Sequence, residues 1–149
     1  MAQKFGIEFD EFKKLEKQLR ELAGFGGLMK ATENALIATK DYVTAEVDKA
    51  VANSPYNFDR SGTTKQSIDR DKTVKWSGTE ASVDVGFRIS KGGLPSIFLM
   101  YGTPKSEHPI KPDTNLYNAV KGKGQHAKKI REIQQEEFNK VISEVMNNG

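Results

Sequence analysis

The sequence predicts an α+β domain in which an antiparallel β-sheet meander of three to four strands packs against a long N-terminal helix and a C-terminal helix. Apolar residues recur at helical spacing near both ends of the chain, over residues 8–53 and 125–146. Between them, the run 83–89 alternates apolar and polar residues, as a strand with one buried face does. The 149 residues fit a single domain over 1–149.

Two helices are predicted before residue 54. The first, over 8–23, has apolar residues three or four positions apart and ends at a glycine-rich stretch, residues 24–27. The second, over 28–53, carries a wide stripe of mostly small apolar residues that suits close packing. It ends at Ser54, because the residue before a proline is disfavoured in the helical conformation.

The middle of the chain is predicted to hold a loop and then the sheet. Residues 55–72 are rich in Asn, Asp, Ser, Gly and charged residues, which predicts a mobile loop. The sheet is predicted over 67–102, with strands at about 67–77, 80–90 and 95–102. The last two strands form a hairpin, because a run of Gly and Pro residues separates them.

Two further helices follow the sheet. A short helix is predicted over 113–121, with Asp113 or Thr114 as its N-cap. The C-terminal helix is predicted over 125–146, where apolar residues again recur at helical spacing.

The residue pattern indicates no catalytic, cofactor or metal site. The two histidines, His108 and His126, lack a partner at the spacing of a helical zinc pair, and the chain has no cysteine. No serine stands in the context of a nucleophile elbow. We therefore expect a protein that is not an enzyme and that binds no cofactor and no metal.

The composition favours a protein made in a reducing cytoplasm. No apolar run approaches the roughly 20 residues of a membrane helix. The N-terminus has acidic residues where an export signal needs an apolar block, and the absence of cysteine fits a reducing compartment. We expect no membrane partner.

The segment 105–131 is strongly basic. It holds seven Lys and Arg residues against two acidic residues, a net charge of +5, whereas the whole chain carries +3. Either this segment is a solvated face, or it meets phosphates or an acidic patch on a partner. If the segment meets phosphates, we expect a small basic nucleic-acid-binding protein. The residues that would face DNA or a partner are Lys105, Lys111, Lys121, Lys123, Lys128 and Lys129.

Several short motifs occur in a characteristic order. They are A-V-A-N-S-P at 50–55, R-S-G-T-T-K-Q-S-I at 60–68, V-D-V-G at 83–86, Y-G-T-P at 101–104, and H-P-I-K-P followed by N-A-V within 108–120. This order resembles the neck and tail-completion proteins of long-tailed bacteriophages, the family that includes minor tail protein Z-like members. The likeness covers about residues 40–145. The chain departs from the family pattern at Thr64, where leucine is usual, and at Met100-Tyr101, which replace an acidic residue.

The resemblance implies a structural virion protein that acts in tail completion or head–tail joining. It would be made in the host bacterial cytoplasm and would lie at the head–tail junction of the virion. The implied partners are further copies of the chain in a hexameric ring, the adjacent neck and tail proteins, and DNA that passes through the ring's channel without sequence specificity.

The same resemblance favours particular assembly contacts. The run Ile97–Tyr101 is apolar on both faces of the predicted strand, so one face is left for a helix or for a neighbouring subunit, and the resemblance favours the neighbour. The loop 55–72 and the turn 90–96 are expected to contact neighbouring rings. The expected contact residues are Arg60, Lys65, Arg70, Lys91, Phe98, Met100 and Tyr101.

Overall fold

The computed structural model describes residues 2–6, 13–54, 63–78, 80–103, 105, 107 and 111–148. Within these residues the chain is mostly helical. The strands are β1 (Ala2–Gly6), β2 (Lys75–Ser77) and β3 (Glu80–Gly86). The α-helices are α1 (Lys13–Ala52), α2 (Thr63–Gln66), α3 (Pro95–Tyr101), α4 (Thr114–Lys121) and α5 (Gln125–Asn148), and a 3₁₀ turn spans Ile89–Lys91.

The helix α1 is divided by a kink at Gly24. The backbone there has φ 67° and ψ −168°, which is not helical and which a glycine adopts without a side-chain clash. The kink falls within residues 24–27, where the sequence predicts the break between helices 8–23 and 28–53. Residues 8–12 of the first predicted helix lie outside the described residues.

The sheet has the strand order β1-β3-β2, and both pairs are antiparallel. β1 pairs with β3 from Ala2 opposite Gly86 to Gly6 opposite Ser82. The hairpin β2–β3 is short, with three paired positions between Lys75 and Ser77 on one side. The third strand therefore comes from the N-terminus, and β3 lies in the centre of the sheet.

The predicted meander of three to four strands is wrong, because the segment 95–102 is the helix α3. A short run that is apolar on both faces does not distinguish a buried strand from a short helix. The flanking residues favour the helix over the strand. Pro95 lies in its first turn, where its fixed φ and missing N–H are tolerated, and Gly102 ends it with a positive φ of 74°.

The other two predicted strands are shorter than expected. Of the predicted strand 67–77, residues 75–77 pair with β3, and Ile68 makes one isolated bridge with Phe87. The predicted strand 80–90 ends at Gly86, whose φ is 110°. Residues 55–62 of the predicted mobile loop lie outside the described residues. Residues 63–72 begin with α2, and their mobility stays a prediction.

The core is built on one side of α1. Its C-terminal half shares a cluster with β3, α3 and α4, whose members include Val43, Val47, Val85, Phe87, Leu99, Met100 and Leu116. Its preceding turns pack against α5 in a second cluster, made of Leu28, Ala31, Ala35, Phe138, Val141 and Ile142. α5 runs antiparallel to α1, because Lys30 pairs with Glu144 whereas Tyr42 meets His126.

Candidate assembly surface

An exposed apolar face lies on α3 and the turn before it. Leu94, Phe98 and Tyr101 are spaced by four and three residues, so they share one side of the helix. They are 50%, 45% and 48% exposed, and Ile89 in the 3₁₀ turn is 40% exposed. The opposite side of α3 presents Ser96, Leu99 and Met100 to the core. We call Ile89, Leu94, Phe98 and Tyr101 the α3 face.

A close backbone approach fixes where the α3 face lies. Gly93 is buried, and a Cβ atom there would lie 2.7 Å from the carbonyl oxygen of Arg88 and 3.0 Å from Cβ of Phe87. The N–H of Gly93 donates to that same Arg88 oxygen at 3.1 Å. Ser96 Oγ then donates to the Gly93 carbonyl at 2.6 Å, which closes the first turn of α3. The turn that leads into α3 is therefore packed directly against residues 87–88, just beyond β3.

Two tyrosines connect the α3 face to the basic segment. The rings of Tyr101 and Tyr117 meet edge to face, with centroids 5.8 Å apart. Nζ of Lys123 lies 5.8 Å from the Tyr117 ring centre, in cation–π range. The apolar face thus continues into an aromatic pair and then into positive charge.

The structure separates the three apolar residues that the sequence predicts as assembly contacts. Phe98 and Tyr101 lie on the α3 face. Met100 is 7% exposed and belongs to the core cluster with Val43 and Val47, so it is not available to a partner. Ile89 and Leu94 complete the face and were not predicted. The spacing of Leu94 to Phe98 and Tyr101 would have identified Leu94 had the segment been recognised as a helix, whereas Ile89 lies in the separate 3₁₀ turn.

The predicted charged contacts lie in different places. Arg60 is outside the described residues. Lys65 is exposed on α2, and Lys91 is exposed at the end of the 3₁₀ turn, next to the α3 face. Arg70 forms a bidentate ion pair with Asp48 of α1 at 2.7 and 2.9 Å. This pair holds the pKa of the Asp48 carboxyl below its ordinary value, mainly through the hydrogen bond from Arg70. Arg70 is thus engaged within the chain.

The predicted basic residues lie on three parts of the surface. Lys105 and Lys111 are exposed on the connection between α3 and α4. Lys121 is half-buried at the end of α4, and Lys123 is exposed just beyond it. Lys128 and Lys129 are exposed on the first turns of α5, where Lys128 lies 4.0 Å from Glu132. The α3 face and Lys123 are brought together, whereas Lys128 and Lys129 belong to another helix.

A buried lysine, Lys40, links several elements behind the α3 face, and the sequence did not indicate it. Lys40 is 1% exposed, and its Nζ donates to the backbone carbonyls of Asp69 and Asp84 at 2.5 Å each. It also lies 3.6 Å from Oδ1 of Asp69, which accepts a hydrogen bond from Arg88 at 3.2 Å. We call Lys40, Asp69, Asp84 and Arg88 the Lys40 cluster. It ties α1 to β3 and to the segment that precedes β2.

Burial and the neighbouring charges shift the pKa values of Lys40 and Asp69 in opposite directions. Burial lowers the pKa of Lys40 below 10.5, against the opposing attraction of Asp69. Burial alone would raise the pKa of Asp69, but the hydrogen bonds from Arg88 and from the Asp71 N–H, together with Lys40, hold that pKa below its ordinary value. Lys40 therefore acts as a structural cross-link.

His126 is a further buried polar residue. It is 4% exposed at the start of α5, and its Nδ1 lies 2.9 Å from the hydroxyl of Tyr42 on α1. The contact with Tyr42 explains why a histidine is buried at this position.

Within the described ranges, no group of three His, Cys, Asp or Glu residues is placed to hold a metal ion. The helices in the same ranges include none long and apolar enough to cross a membrane. Comparison of the chain with models of protein families, with curated proteins and with solved structures finds no match.

Proposed function

We propose that the chain is a structural component of the virion of a tailed bacteriophage, where it acts in tail completion or head–tail joining as one subunit of a ring around a DNA channel. The proposed partners are other copies of the chain and the adjacent neck and tail proteins. The proposed role is assembly and not catalysis. The observation that carries the proposal is the α3 face, which exposes four large apolar side chains next to the motif Y-G-T-P.

The spatial arrangement of the resembling motifs supports the proposal. The Asp69 N–H donates to the carbonyl of Gly86, and the Arg88 N–H donates to the carbonyl of Ser67, both at 2.7 Å. These bonds join the S-I end of one motif to the V-D-V-G end of another. The Asp113 N–H donates to the carbonyl of Leu99 at 2.7 Å, which ties the start of α4 to α3. Two motifs that are distant in sequence, at 60–68 and 83–86, thus lie side by side at their described ends.

The energetics of the α3 face also support an assembly role. Each large apolar side chain that leaves water on docking contributes about 1.5–3 kcal/mol at full burial, and the four on this face are each about half exposed. Monomeric surfaces tolerate single exposed apolar residues, but a row on one helix side marks an interaction site. The α3 face is therefore suited to protein contact.

Inactivating the gene in the phage genome that encodes the chain tests the proposed function. We expect particles whose DNA-filled heads and tails fail to join, with a loss of infectivity that the wild-type gene supplied in trans restores. Infectious particles of normal appearance would contradict the proposal. Genes for a portal, a head-closure protein and a major tail protein next to this gene would support it independently.

A second candidate function is nucleic-acid binding through the basic segment. It is favoured by the exposed lysines at 105, 111, 123, 128 and 129. The chain would then bind duplex DNA with an affinity that falls steeply with salt, with a logarithmic slope of about −0.9 for each phosphate contacted. Absence of binding at low salt would reject this second function and would leave the assembly role unaffected.

A further inference from the structure

Two segments of the described surface carry opposite charge. Lys91 ends the 3₁₀ turn that holds Ile89, Lys105 lies four residues after Tyr101, and Lys123 lies over the Tyr117 ring; we call these three lysines the basic rim. By contrast, residues 132–146 of α5 carry four glutamates against one lysine. Glu132, Glu136 and Glu144 there have exposed side chains, and Met146 beyond them is 63% exposed. Each of the three carboxylates also lies within 4.0 Å of a lysine of the same chain, in exposed pairs that contribute little to stability and that a partner can replace. We call residues 132–146 the acidic helix end.

The distance between parts of these two surfaces follows from the positions on α1 that each one contacts. The acidic helix end is anchored near Lys30, whose Nζ lies 3.1 Å from Glu144. The buried side of α3 lies in the core cluster that contains Val47. Lys30 and Val47 are 17 positions apart, so the two anchor points are separated by about 25 Å along the helix at about 1.5 Å per residue. The far part of the acidic helix end, with Glu144 and Met146, therefore cannot meet the α3 face within one copy of the chain.

We infer that the α3 face with its basic rim docks on the acidic helix end of a second copy of this chain. The inference rests on the proposed ring and assigns the surfaces that build it. Opposite charges face each other in this arrangement, and Met146 offers apolar area to Phe98 and Leu94. Because the two surfaces are different, the contact is head-to-tail, and a head-to-tail contact that closes on itself makes a ring.

Two other occupants fit the observations less well. A two-fold contact of one α3 face with another would bring two basic rims together, which like-charge repulsion opposes. A nucleic acid would engage the lysines through its phosphates but would leave four apolar side chains without a partner. A second copy supplies both the carboxylates and the apolar contact.

The test measures self-association of the purified full-length chain by sedimentation velocity, at concentrations up to about 1 mM. We expect a mass that rises with concentration beyond two copies. Lys123→Glu and Glu136→Lys should each weaken the association by about tenfold or more, and the combined variant should restore it to within about threefold of the wild type. Phe98→Asp should yield monomers, whereas Phe98→Leu should still associate.

The matched control is Lys72→Glu. It reverses an exposed lysine that pairs with Asp41 of α1 at 2.7 Å and not with the α3 face, and it should leave the association unchanged. Circular dichroism should show that all of these exposed-site variants are folded. A wild type that stays monomeric, a dimer that does not grow further, or charge reversals that fail to rescue each other would each overturn the inference.

The outcome for this inference is separable from the outcome for the proposed function. If gene inactivation blocks head–tail joining while the charge pair has no effect, the chain is a neck component whose α3 face meets a different protein. If inactivation leaves the particles infectious, the proposed function fails whatever the purified chain does.

Discussion

The ammonium group of Lys40 lies 2.5 Å from the carbonyl oxygen of Asp69 and 3.6 Å from its carboxylate oxygen Oδ1, and both residues are buried. The same ammonium group bonds the carbonyl of Asp84 on β3. One side chain on α1 thus satisfies backbone groups on two separate segments. This cross-link fixes β3, and β3 in turn supports the backbone that positions α3.

Replacing Lys40 by methionine should destabilise the fold by about 3 kcal/mol, because the buried Asp69 carboxylate loses one of its two cationic partners and keeps only Arg88. The carbonyls of Asp69 and Asp84 would also lose their donor. Urea unfolding followed by circular dichroism measures the change. Lys72→Met is the matched control, since its pair with Asp41 is exposed and should contribute less than about 1 kcal/mol. Equal losses in the two variants would contradict the role given to Lys40.

The lowered pKa of Lys40 predicts a pH dependence of stability. In the unfolded chain the amine holds its proton up to about 10.5, whereas the folded state releases it at lower pH. Between the lowered pKa and 10.5 the unfolded state binds more protons, so the free energy of unfolding gains a contribution that rises with pH. Comparing wild type with Lys40→Met from neutral to alkaline pH isolates this contribution. A difference between them that stays constant or shrinks as pH rises would contradict it.

The sequence predicted the helical ends of the molecule better than its centre. The glycines at 24–27 and the apolar stripes near both ends carry strong local signals, because the periodicity persists over many turns. The run 97–101 is shorter than two helical turns, and its apolar residues cannot distinguish a strand from a helix. The residues that favour a helix over a strand are Pro95 at its start and Gly102 at its end.

The Lys40 cluster shows what local pattern cannot reveal. Lys40 stands beside Thr39 and Asp41 in a stretch where a lysine normally faces water, and nothing adjacent marks it as buried. Its partners lie 29 and 44 residues away, so the cluster exists only after β3 has packed on α1. For the α3 face, the sequence predicted Phe98 and Tyr101, but assigning a strand there placed Met100 on the same surface.

Substitutions on the two sides of α3 should differ strongly in their effect on the stability of the chain. Met100→Asp puts a carboxylate into the core and should destabilise the chain by about 3 kcal/mol or more, which shows as unfolding in circular dichroism. Phe98→Asp changes a half-exposed residue and should cost about 1 kcal/mol or less, so the chain stays folded but does not assemble. Should Phe98→Asp unfold the chain and Met100→Asp spare it, the assignment of the two sides of α3 would be reversed.

Gly93→Ala should destabilise the chain by about 2 kcal/mol, because the added methyl group overlaps the Arg88 carbonyl and Cβ of Phe87, and these atoms belong to a packed backbone and core. Relief requires the turn before α3 to move away from residues 87–88, which displaces Phe98 and Tyr101 together. Gly26→Ala provides the control: its Cβ meets nothing within 4 Å, so it should be neutral or should stabilise α1 by up to about 1 kcal/mol. The midpoints of urea unfolding of the two variants, compared with that of the wild type, test this prediction.

If Gly93→Ala is as stable as the wild type and still assembles, the close approach at Gly93 does not set the position of the α3 face. If it is destabilised and its assembly falls more than that of an equally destabilised core variant such as Val47→Ala, the turn acts on assembly by positioning α3.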